Sequence, residues 1–382
     1  MIAGQVYGRV TQGMDPDDVL SLYSQLIPEA ASFNQMTGMT AQALDANAAL
    51  IAYVGISSHN GYGGPMLVGT IVEPSGKLRE PVILSHNETS SFLSRVTGGR
   101  YFTQFKDKPV DSIFMLGEDI DAASGATLSS RAVSDGVRES ANSIARAAFA
   151  LNPQQAEIRW QFGPQEIAVA LFFAAGFVIY KVKRLRKYRL ALLGASVVFL
   201  GFWLNRALSV IQFSSILLGY FPSPKTNLLF YILTAGALAP IIFCGKNLYC
   251  AFICPFCGLQ ELANKISGKN IPLTGKMRKW LGILRNALLF FILLCAFVTG
   301  RAAAVTYEPF GVAFGLDLKA DGYLWYILFA FLALSFFFRR LWCAGFCPAG
   351  AMLDFLRMLM IALRKKFALI LAFTKRGFRN YS

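Results

Sequence analysis

A short stretch of small and hydroxyl-bearing residues, from Asp121 to Ser130, is the first part of this sequence that could do chemistry. Gly125 lets its backbone turn where a side chain would hinder it. Thr127 and two serines then place hydroxyls just ahead of a helical run from Arg131 to Ala148. Because backbone N–H groups at a helix start bind anions, this pattern is typical of a phosphate site. A serine-rich helix cap without a ligand is the alternative.

Cysteines form the second candidate site, because two copies of one pattern occur. Cys250-Ala-Phe-Ile-Cys254-Pro and Cys343-Ala-Gly-Phe-Cys347-Pro each follow an apolar run and a short basic turn. A spacing of four places both sulfurs of a pair on one side of a helical turn. Two pairs supply four thiolates, which suit a [4Fe–4S] or [2Fe–2S] cluster, with zinc as the main rival. Buried structural cysteine is the remaining alternative.

The other cysteines are weaker candidates. Cys257 stands where the second copy has Gly350, so we expect it not to be a shared ligand. Cys244 could either ligate or pack, and Cys295, in the middle of an apolar run, is expected to be a core residue. Since all seven cysteines follow residue 240 and most flank apolar runs, metal ligation is favoured over a disulfide framework.

Composition indicates a membrane protein, because 55% of the residues are hydrophobic and only 15% are charged. A net charge of +15 could indicate nucleic-acid binding, but the basic residues cluster at the ends of apolar runs. That distribution is typical of membrane topology signals, and we expect no direct contact with nucleic acid. The two histidines, His59 and His86, lie outside the apolar runs, which excludes bis-histidine haem within the membrane.

Three regions are predicted from the pattern of apolar and polar residues. Residues 1–158 form an α+β domain, residues 159–352 an all-α membrane domain, and residues 353–382 a basic amphipathic tail on the cytoplasmic leaflet. Strands are expected over 49–56, 66–72 and 82–84. The membrane domain is expected to have about five transmembrane helices, over 167–180, 190–204, 228–243, 281–298 and 323–338, with 207–220 lying along the outer surface.

Charge predicts the orientation in a bacterial inner membrane. Residues 181–189 contain six basic side chains and no acid, which places them in the cytoplasm. The N-terminal domain is then periplasmic and the C-terminus cytoplasmic. An exported domain needs a signal sequence, and residues 1–6 do not form one. We therefore expect the natural start of the protein to differ from Met1.

The string Ser124-Gly-Ala-Thr127-Leu-Ser-Ser resembles the flavinylation motif of FMN-binding domains in Na⁺-translocating quinone reductases, Rnf complexes and NosR-type proteins. The resemblance implies that a flavin transferase joins FMN to Thr127 through a phosphodiester. Similar domains have a Gly-Tyr-x-Gly-Pro loop and a His-x-Glu-Thr segment near the flavin. His86 could bind the flavin or merely satisfy the hydrogen-bonding groups of a loop. Residues 97–102 are a weaker candidate for a flavin-lining turn. The cofactor-binding residues thus implied are Thr127, Ser124, Gly125, Ala126, Ser129, Asp121, His86, Glu88, Thr89, Gly63 and Gly64.

The cysteine repeat resembles the membrane part of NosR/NirI and NapH-type proteins. With the flavin motif, it implies an iron–sulfur cluster of the [4Fe–4S] type on Cys250, Cys254, Cys343 and Cys347. Such proteins usually continue into a ferredoxin-like domain, so a separate ferredoxin-like or other cytoplasmic donor is expected here. The implied function is electron transfer between this cluster and a periplasmic acceptor such as nitrous oxide reductase, by way of FMN. A regulatory or maturation role for such a system is the alternative. A transporter is a third interpretation, disfavoured because the predicted spans contain few of the ionisable residues that line substrate and ion pathways.

Overall fold

The chain has an N-terminal sheet domain followed by a mostly helical region, in a computed structural model that describes residues 16–88, 90–153, 160, 162–315 and 322–379. The sheet is an antiparallel meander in chain order. Its strands are β1 (Ser32–Gln35), β2 (Thr40–Leu44), β3 (Leu50–Asn60), β4 (Pro65–Val72) and β5 (Val82–His86). Helix α1 (Pro16–Leu26) precedes the sheet, and α2 (Ser90–Thr97) and α3 (Thr127–Phe149) follow it.

Helix α3 packs across the sheet at very short range. A Cβ atom added to Gly55 on β3 would lie 2.8 Å from the Ser140 Cβ. The hydroxyl of Ser57 donates a hydrogen bond of 2.8 Å to the Gly136 carbonyl oxygen. Fully buried aliphatic residues such as Val137 each contribute roughly 1.5–3 kcal/mol to this packing. The start of α3, where the Ser-Gly-Ala-Thr turn lies, is therefore fixed against the sheet.

The three strands expected from the sequence are confirmed, and each extends beyond the predicted bounds. The helix expected from Arg131 begins four residues earlier, at Thr127. Strands β1 and β2 and helix α1 were not predicted. β1 contains the polar residues Ser32, Asn34 and Gln35, and so lacks the apolar alternation that indicates a strand.

The helical region starts at Pro164. Its α-helices are α4 (Pro164–Lys181), α5 (Arg189–Ser196), α6 (Val210–Leu217), α7 (Leu228–Cys244), α8 (Pro255–Ser267), α9 (Gly275–Thr299), α10 (Phe310–Gly315), α11 (Gly322–Ser335), α12 (Leu341–Gly345) and α13 (Pro348–Arg379). Two π-helical segments, Val197–Trp203 and Tyr249–Ile253, continue α5 and precede α8.

Two described helices, α4 and α9, are long and apolar enough to cross a membrane, and both expose most of their side chains. Helices α7 and α11 are also apolar but shorter. The number of five spans therefore stays a prediction. Helix α13 runs through residue 353, whose leucine side chain is fully buried, so the predicted boundary of the tail falls within one helix.

The prediction that residues 207–220 lie along the outer surface was wrong. Residues 210–215 of α6 are buried inside the helical region, and α6 packs against α13. Ser209 caps the helix, with its hydroxyl accepting a hydrogen bond of 3.1 Å from the Ile211 N–H. Polar residues of this segment, including Gln212, point inward. The segment therefore lies inside the protein rather than on the lipid surface.

Candidate flavin and iron–sulfur sites

The Ser-Gly-Ala-Thr stretch forms a tight turn that leads into α3. Gly125 has a φ of +73°, in the left-handed region that glycine adopts without strain. The cap position of α3 is Ala126, whose side chain has no oxygen to accept a hydrogen bond. Ser130 Oγ instead accepts the Ala123 N–H at 3.0 Å. The serine-rich cap expected as the alternative is therefore not formed, and Thr127 stands at the first helical position.

A cavity of about 610 Å³ lies beside this turn, within the size range of small-molecule sites. It is lined by Ser94, Arg95, Gly98, Gly99, Arg100, Tyr101, Gln104, Asp121, Ala122, Ala123 and Ser124. The backbone of Asp121 is held by Gln104, whose side chain exchanges hydrogen bonds of 2.8 and 3.1 Å with it. Two arginines at the rim make the cavity suitable for an anionic ligand such as FMN. Residues 98–101 of the weaker candidate turn do line it.

Glu88 joins three of the predicted flavin-site segments. Its buried carboxylate accepts the Gly63 N–H at 3.1 Å and the Ser129 hydroxyl at 2.8 Å. A Cβ atom on Gly63 would lie 1.9 Å from the Asn87 carbonyl oxygen, so only glycine fits there. The loop that contains Gly63 and Gly64, the end of β5 and the start of α3 are thus brought together at one carboxylate.

His86 ends strand β5, and burial lowers its pKa, which favours the neutral imidazole. Its Nδ1 atom is buried and has no hydrogen-bond partner among the residues that the structure describes. The imidazole also hydrogen-bonds the backbone of Glu88, so both predicted roles of His86, a contact with the flavin and a contact within its loop, stay predictions. Thr89, the last residue of the His-x-Glu-Thr segment, lies outside the described residues.

The stability of the sheet domain should depend on Glu88 and on pH. Burial raises the pKa of Glu88 to about 7, and its hydrogen bonds only partly offset this. Because the folded value exceeds the unfolded one, the folded state holds an extra proton between about pH 4.5 and 7, and stability falls as pH rises through that window. The fall is roughly 3 kcal/mol at 1.36 kcal/mol per pKa unit.

We expect Glu88→Gln to remove this fall, so that the variant becomes more stable than the wild type above neutral pH. Thermal unfolding of the purified protein across this pH range measures the effect. Glu118→Gln, at an exposed position, is the matched control and should follow the wild type. Parallel pH profiles for the wild type and Glu88→Gln would contradict the prediction.

Five cysteines line a second cavity, of about 660 Å³, in the helical region. They include all four predicted ligands, Cys250, Cys254, Cys343 and Cys347. The fifth is Cys257, which the comparison of the two copies had set aside, and its sulfur lies 3.0 Å from that of Cys343. We therefore count it among the candidate ligands. Cys244 and Cys295 are not among the residues that line the cavity.

Donor groups already point at these sulfurs. The Gly350 N–H and the Gln260 side-chain amide donate hydrogen bonds of 3.2 Å to Cys347 and Cys343 respectively. Within the described ranges, no three histidine, cysteine or acidic side chains are grouped closely enough to hold a single metal ion. Thiols spread around a cavity and supported by N–H donors fit a polynuclear cluster.

Arginines surround the cysteine cavity and are held by two acidic residues. Glu261 and Asp354 each follow the second cysteine of their copy by the same spacing. Glu261 is 4% exposed and pairs with Arg189 at 2.8 Å, with Arg339 at 3.1 Å and with Arg340. Asp354 pairs with Arg285 at 2.9 Å. The duplication thus includes the charges around the site, and positive side chains stabilise an anionic cluster with its thiolates.

Glu261→Ala should destabilise the helical region by about 3 kcal/mol, because removing one partner of a buried ion pair leaves the other charges uncompensated. Three arginines would then repel each other next to the cysteines. Chemical denaturation in detergent measures the loss. Glu73→Ala, which breaks a half-exposed pair with Arg79, is the control and should cost less than about 1 kcal/mol. Equal effects of the two substitutions would refute this role of Glu261.

A first bridging segment, residues 205–210, contacts both sites. At one end, the Asn205 Nδ2 atom lies 3.8 Å from the position of a Cβ on Gly125 in the flavin motif. At the other end, the Leu208 N–H donates a hydrogen bond of 2.8 Å to the hydroxyl of Tyr249, the residue before Cys250. The three Cα–Cα steps from residue 205 to residue 208 span at most about 11 Å.

A second bridging segment, residues 306–310, also contacts both the flavin side and the cysteine side of the protein. The carboxylate of Glu308 is 7% exposed and accepts hydrogen bonds from the Ser209 hydroxyl and, at 3.1 Å, from the Val210 N–H. It also accepts the N–H of Ala349, two residues after Cys347. Ser209 in turn hydrogen-bonds the hydroxyl of Tyr62, in the glycine loop of the sheet domain. A chain of polar contacts therefore links the glycine loop of the sheet domain to the residues that follow Cys347.

The sheet domain is also anchored directly to the helical region. The Arg131 guanidinium donates hydrogen bonds to the Thr226 carbonyl oxygen and, at 3.2 Å, to the Asn227 side chain just before α7. A Cβ atom on Gly64 would lie 3.4 Å from the Tyr220 ring. The flavin motif is therefore held at a fixed place over the bridging segments.

Comparison with known protein families agrees with both sites. Residues 61–142 match the family of FMN-binding domains, a range that includes the glycine loop, Glu88 and Thr127. Residues 226–274 and 322–369 match the family of 4Fe-4S binding domains, and these ranges include all five cysteines of the cavity. The expectations of an FMN-binding domain and of a 4Fe-4S binding domain are confirmed.

Individual relatives fall into two groups. The chain is 29% identical to Protein NirI of Paracoccus denitrificans over 205 residues, 48% of this chain and 30% of NirI. It is 26% identical to Regulatory protein NosR of Pseudomonas aeruginosa over 208 residues, 49% of this chain and 28% of NosR. It is also 33% identical, over 125 residues, to one protein of the proton-translocating ferredoxin:NAD(+) oxidoreductase complex of Clostridium ljungdahlii, 31% of this chain and 68% of that protein. The similarity thus spans less than a third of the length of NirI and NosR.

Proposed function

We propose that this chain, which belongs to the NosR/NirI-type membrane flavoproteins, passes electrons between an iron–sulfur site and a covalently held FMN. Its FMN-binding domain is shared with a protein of ion-translocating oxidoreductase complexes, which supports the same function. A cluster exchanges one electron at a time, whereas FMN exchanges one or two. The chain would therefore join a one-electron donor to an acceptor that takes a different number of electrons at a time.

The observation that supports this proposal most is the pair of bridging segments. Residues 205–210 and 306–310 each contact the flavin side and the cysteine side of the protein. Two cofactors on opposite faces of a roughly 30 Å hydrocarbon core would be too far apart for efficient transfer. Because the segments enter the helical region, they shorten the path between the two sites.

The flavin would be attached as a phosphodiester on the Thr127 hydroxyl by a separate flavin transferase. Asp121, Ser124, Gly125 and Ala126 would shape the turn around the phosphate. Glu88 would hold the glycine loop and Ser129 in place, and the unpaired Nδ1 of His86 would face the ligand. On the other side, the cluster would be held by Cys250, Cys254, Cys343 and Cys347. Cys257 is a further candidate ligand.

We propose the same orientation and partners as the sequence analysis predicts. The sheet domain faces the periplasm of a bacterial inner membrane, and the C-terminus faces the cytoplasm. The rim of the cysteine cavity carries Lys246, Arg278, Arg285, Arg339, Arg340 and Arg357. An acidic one-electron carrier such as a ferredoxin suits this rim by charge. The relation to NosR supports nitrous oxide reductase, or a similar periplasmic respiratory enzyme, as the acceptor.

Proteoliposomes that contain the protein in one orientation test this proposal. A membrane-impermeant one-electron donor is offered under anaerobic conditions to one face at a time, and flavin absorbance is followed. We expect the flavin to become reduced when the donor faces the side on which a label at Ser382 is accessible. Reduction only from the side of the sheet domain would overturn the proposal.

A regulatory or maturation role is the second candidate, because two relatives that match about half of this chain are named Regulatory protein NosR. In that case Thr127→Val and Cys347→Ser, which remove the flavin tether and a cluster ligand, would still support expression of the dependent enzyme system. Loss of the acceptor's activity with its expression unchanged would instead support electron transfer.

A further inference from the structure

We propose that Asn205, a residue of the helical region, donates a hydrogen bond from its side-chain amide to the phosphodiester of the FMN on Thr127. The flavin site would then be shared by the two parts of the chain. This inference rests on the proposed function, since it takes the covalent attachment to Thr127 as its premise. Neither the flavin motif nor the cysteine repeat assigns any role to Asn205.

Four residues from separate segments meet at one junction beside the flavin motif. A Cβ atom on Gly125 would lie 2.0 Å from the Arg95 Nη1 atom, and one on Gly315 at the end of α10 would lie 1.9 Å from the Arg95 Nη2 atom. The Arg95 guanidinium is thus enclosed between a glycine of the sheet domain and a glycine of the helical region. The Asn205 Nδ2 atom is 3.0 Å from the same Cβ position on Gly315. A Cβ atom at either glycine would force the Arg95 side chain to move.

The backbone of Asn205 has an ordinary structural role. Its φ of +47° ends the π-helical segment that follows α5. Its N–H donates to the Gly201 carbonyl oxygen at 2.8 Å, and the Arg206 N–H donates to that of Leu200 at the same distance. Asparagine and glycine both serve at such helix ends. The side chain is not needed for this turn, but the turn holds it rigidly at the junction.

The amide nitrogen of that side chain is buried and has no hydrogen-bond partner within the described part of the chain. A buried donor left unpaired costs roughly 1–3 kcal/mol. Such groups in folded proteins usually have a ligand, ion or water that the protein atoms alone do not reveal. The position of Asn205 therefore calls for an acceptor oxygen close to Gly125.

Charge indicates which oxygen this is. The Arg95 guanidinium lines the 610 Å³ cavity and contacts the carbonyl oxygen of Ser124 at 3.5 Å. A cation beside the amide favours an anionic acceptor over a neutral ring carbonyl. Thr127 is two residues from Gly125, so its phosphodiester is the nearest anionic group that the proposed function places here.

Asn205→Gly and Asn205→Asp separate the side chain from the backbone. Glycine keeps the left-handed turn and removes the side chain with its amide, while aspartate keeps the shape and places a carboxylate against the phosphate. Full-length protein is produced together with a flavin transferase and purified in lipid-free detergent. Phosphorus NMR of the phosphodiester and fluorescence anisotropy of the attached flavin are then recorded. Asn47→Gly, in an exposed turn, is the control.

We expect both variants at position 205 to shift the phosphorus resonance and to lower the anisotropy, with the larger change for Asn205→Asp. The control should match the wild type. Unchanged resonance and anisotropy in both variants would overturn the role of Asn205 and leave the proposed function intact. Intact-mass measurement of the wild type comes first, because a chain without added FMN overturns the attachment itself and this inference with it.

Discussion

Thr127→Val is expected to abolish covalent flavin while leaving the protein folded. Valine keeps the β-branched shape of threonine and removes only the hydroxyl, which is the group that a phosphodiester requires. The residue stands at the first position of α3, where the helix is capped by the backbone of Ala126 and not by a side chain. Loss of the hydroxyl therefore removes no contact on which the start of the helix depends.

In-gel fluorescence of the denatured protein and intact-mass spectrometry measure this loss. Thr37→Val, at an exposed turn before β2, changes the same chemical group far from the flavin motif and should retain the flavin. Ser124→Ala should also retain it, since the proposal gives Ser124 a role in shaping the turn only. Covalent flavin that persists in Thr127→Val would refute the tether.

Cys347→Ser and Cys254→Ser are expected to lose the iron–sulfur cluster. Both side chains are buried in the cysteine cavity, one from each copy of the repeat. Serine oxygen is a poor ligand for iron in these clusters, so either substitution removes one of the sulfur ligands that hold the cluster. Anaerobic purification followed by iron, sulfide and zinc analysis measures the change.

Cys295→Ser is the matched control, because this cysteine lies on α9 and does not line the cavity. It should retain iron and sulfide at wild-type levels. Cys257→Ser decides whether the fifth cysteine is a ligand, since its sulfur lies beside Cys343. Stoichiometric zinc in the wild type, with no iron or sulfide, would contradict the cluster.

The flavin motif could be predicted from sequence because its signals are local. Small residues, a glycine and a helix start lie within ten positions, and the structure places Thr127 at the first residue of α3. Glu88 could be named only through a family resemblance. Its joining of Gly63 and Ser129 depends on β5 and α3 meeting in space, which local patterns do not contain.

The cysteine site was predicted only in part for a related reason. The comparison of the two copies considers equivalent positions only. Cys257 was set aside because Gly350 stands at the equivalent position of the second copy. The fold brings the two copies against each other and places Cys257 next to Cys343. The buried position of α6 was missed because apolar residues are equally typical of a lipid surface and of a protein interior. The contacts of Asn205 and Glu308 arise from segments far apart in sequence, which a single chain does not reveal.

The most direct test of electron transfer between the two sites is rapid mixing of the loaded protein with a reduced ferredoxin under anaerobic conditions. In the wild type, we expect flavin absorbance to fall after mixing. In Cys347→Ser, with its flavin still attached, the flavin should stay oxidised, because the route from the donor through the cysteine site is missing. Reduction of the flavin at the same rate in both proteins would contradict this account.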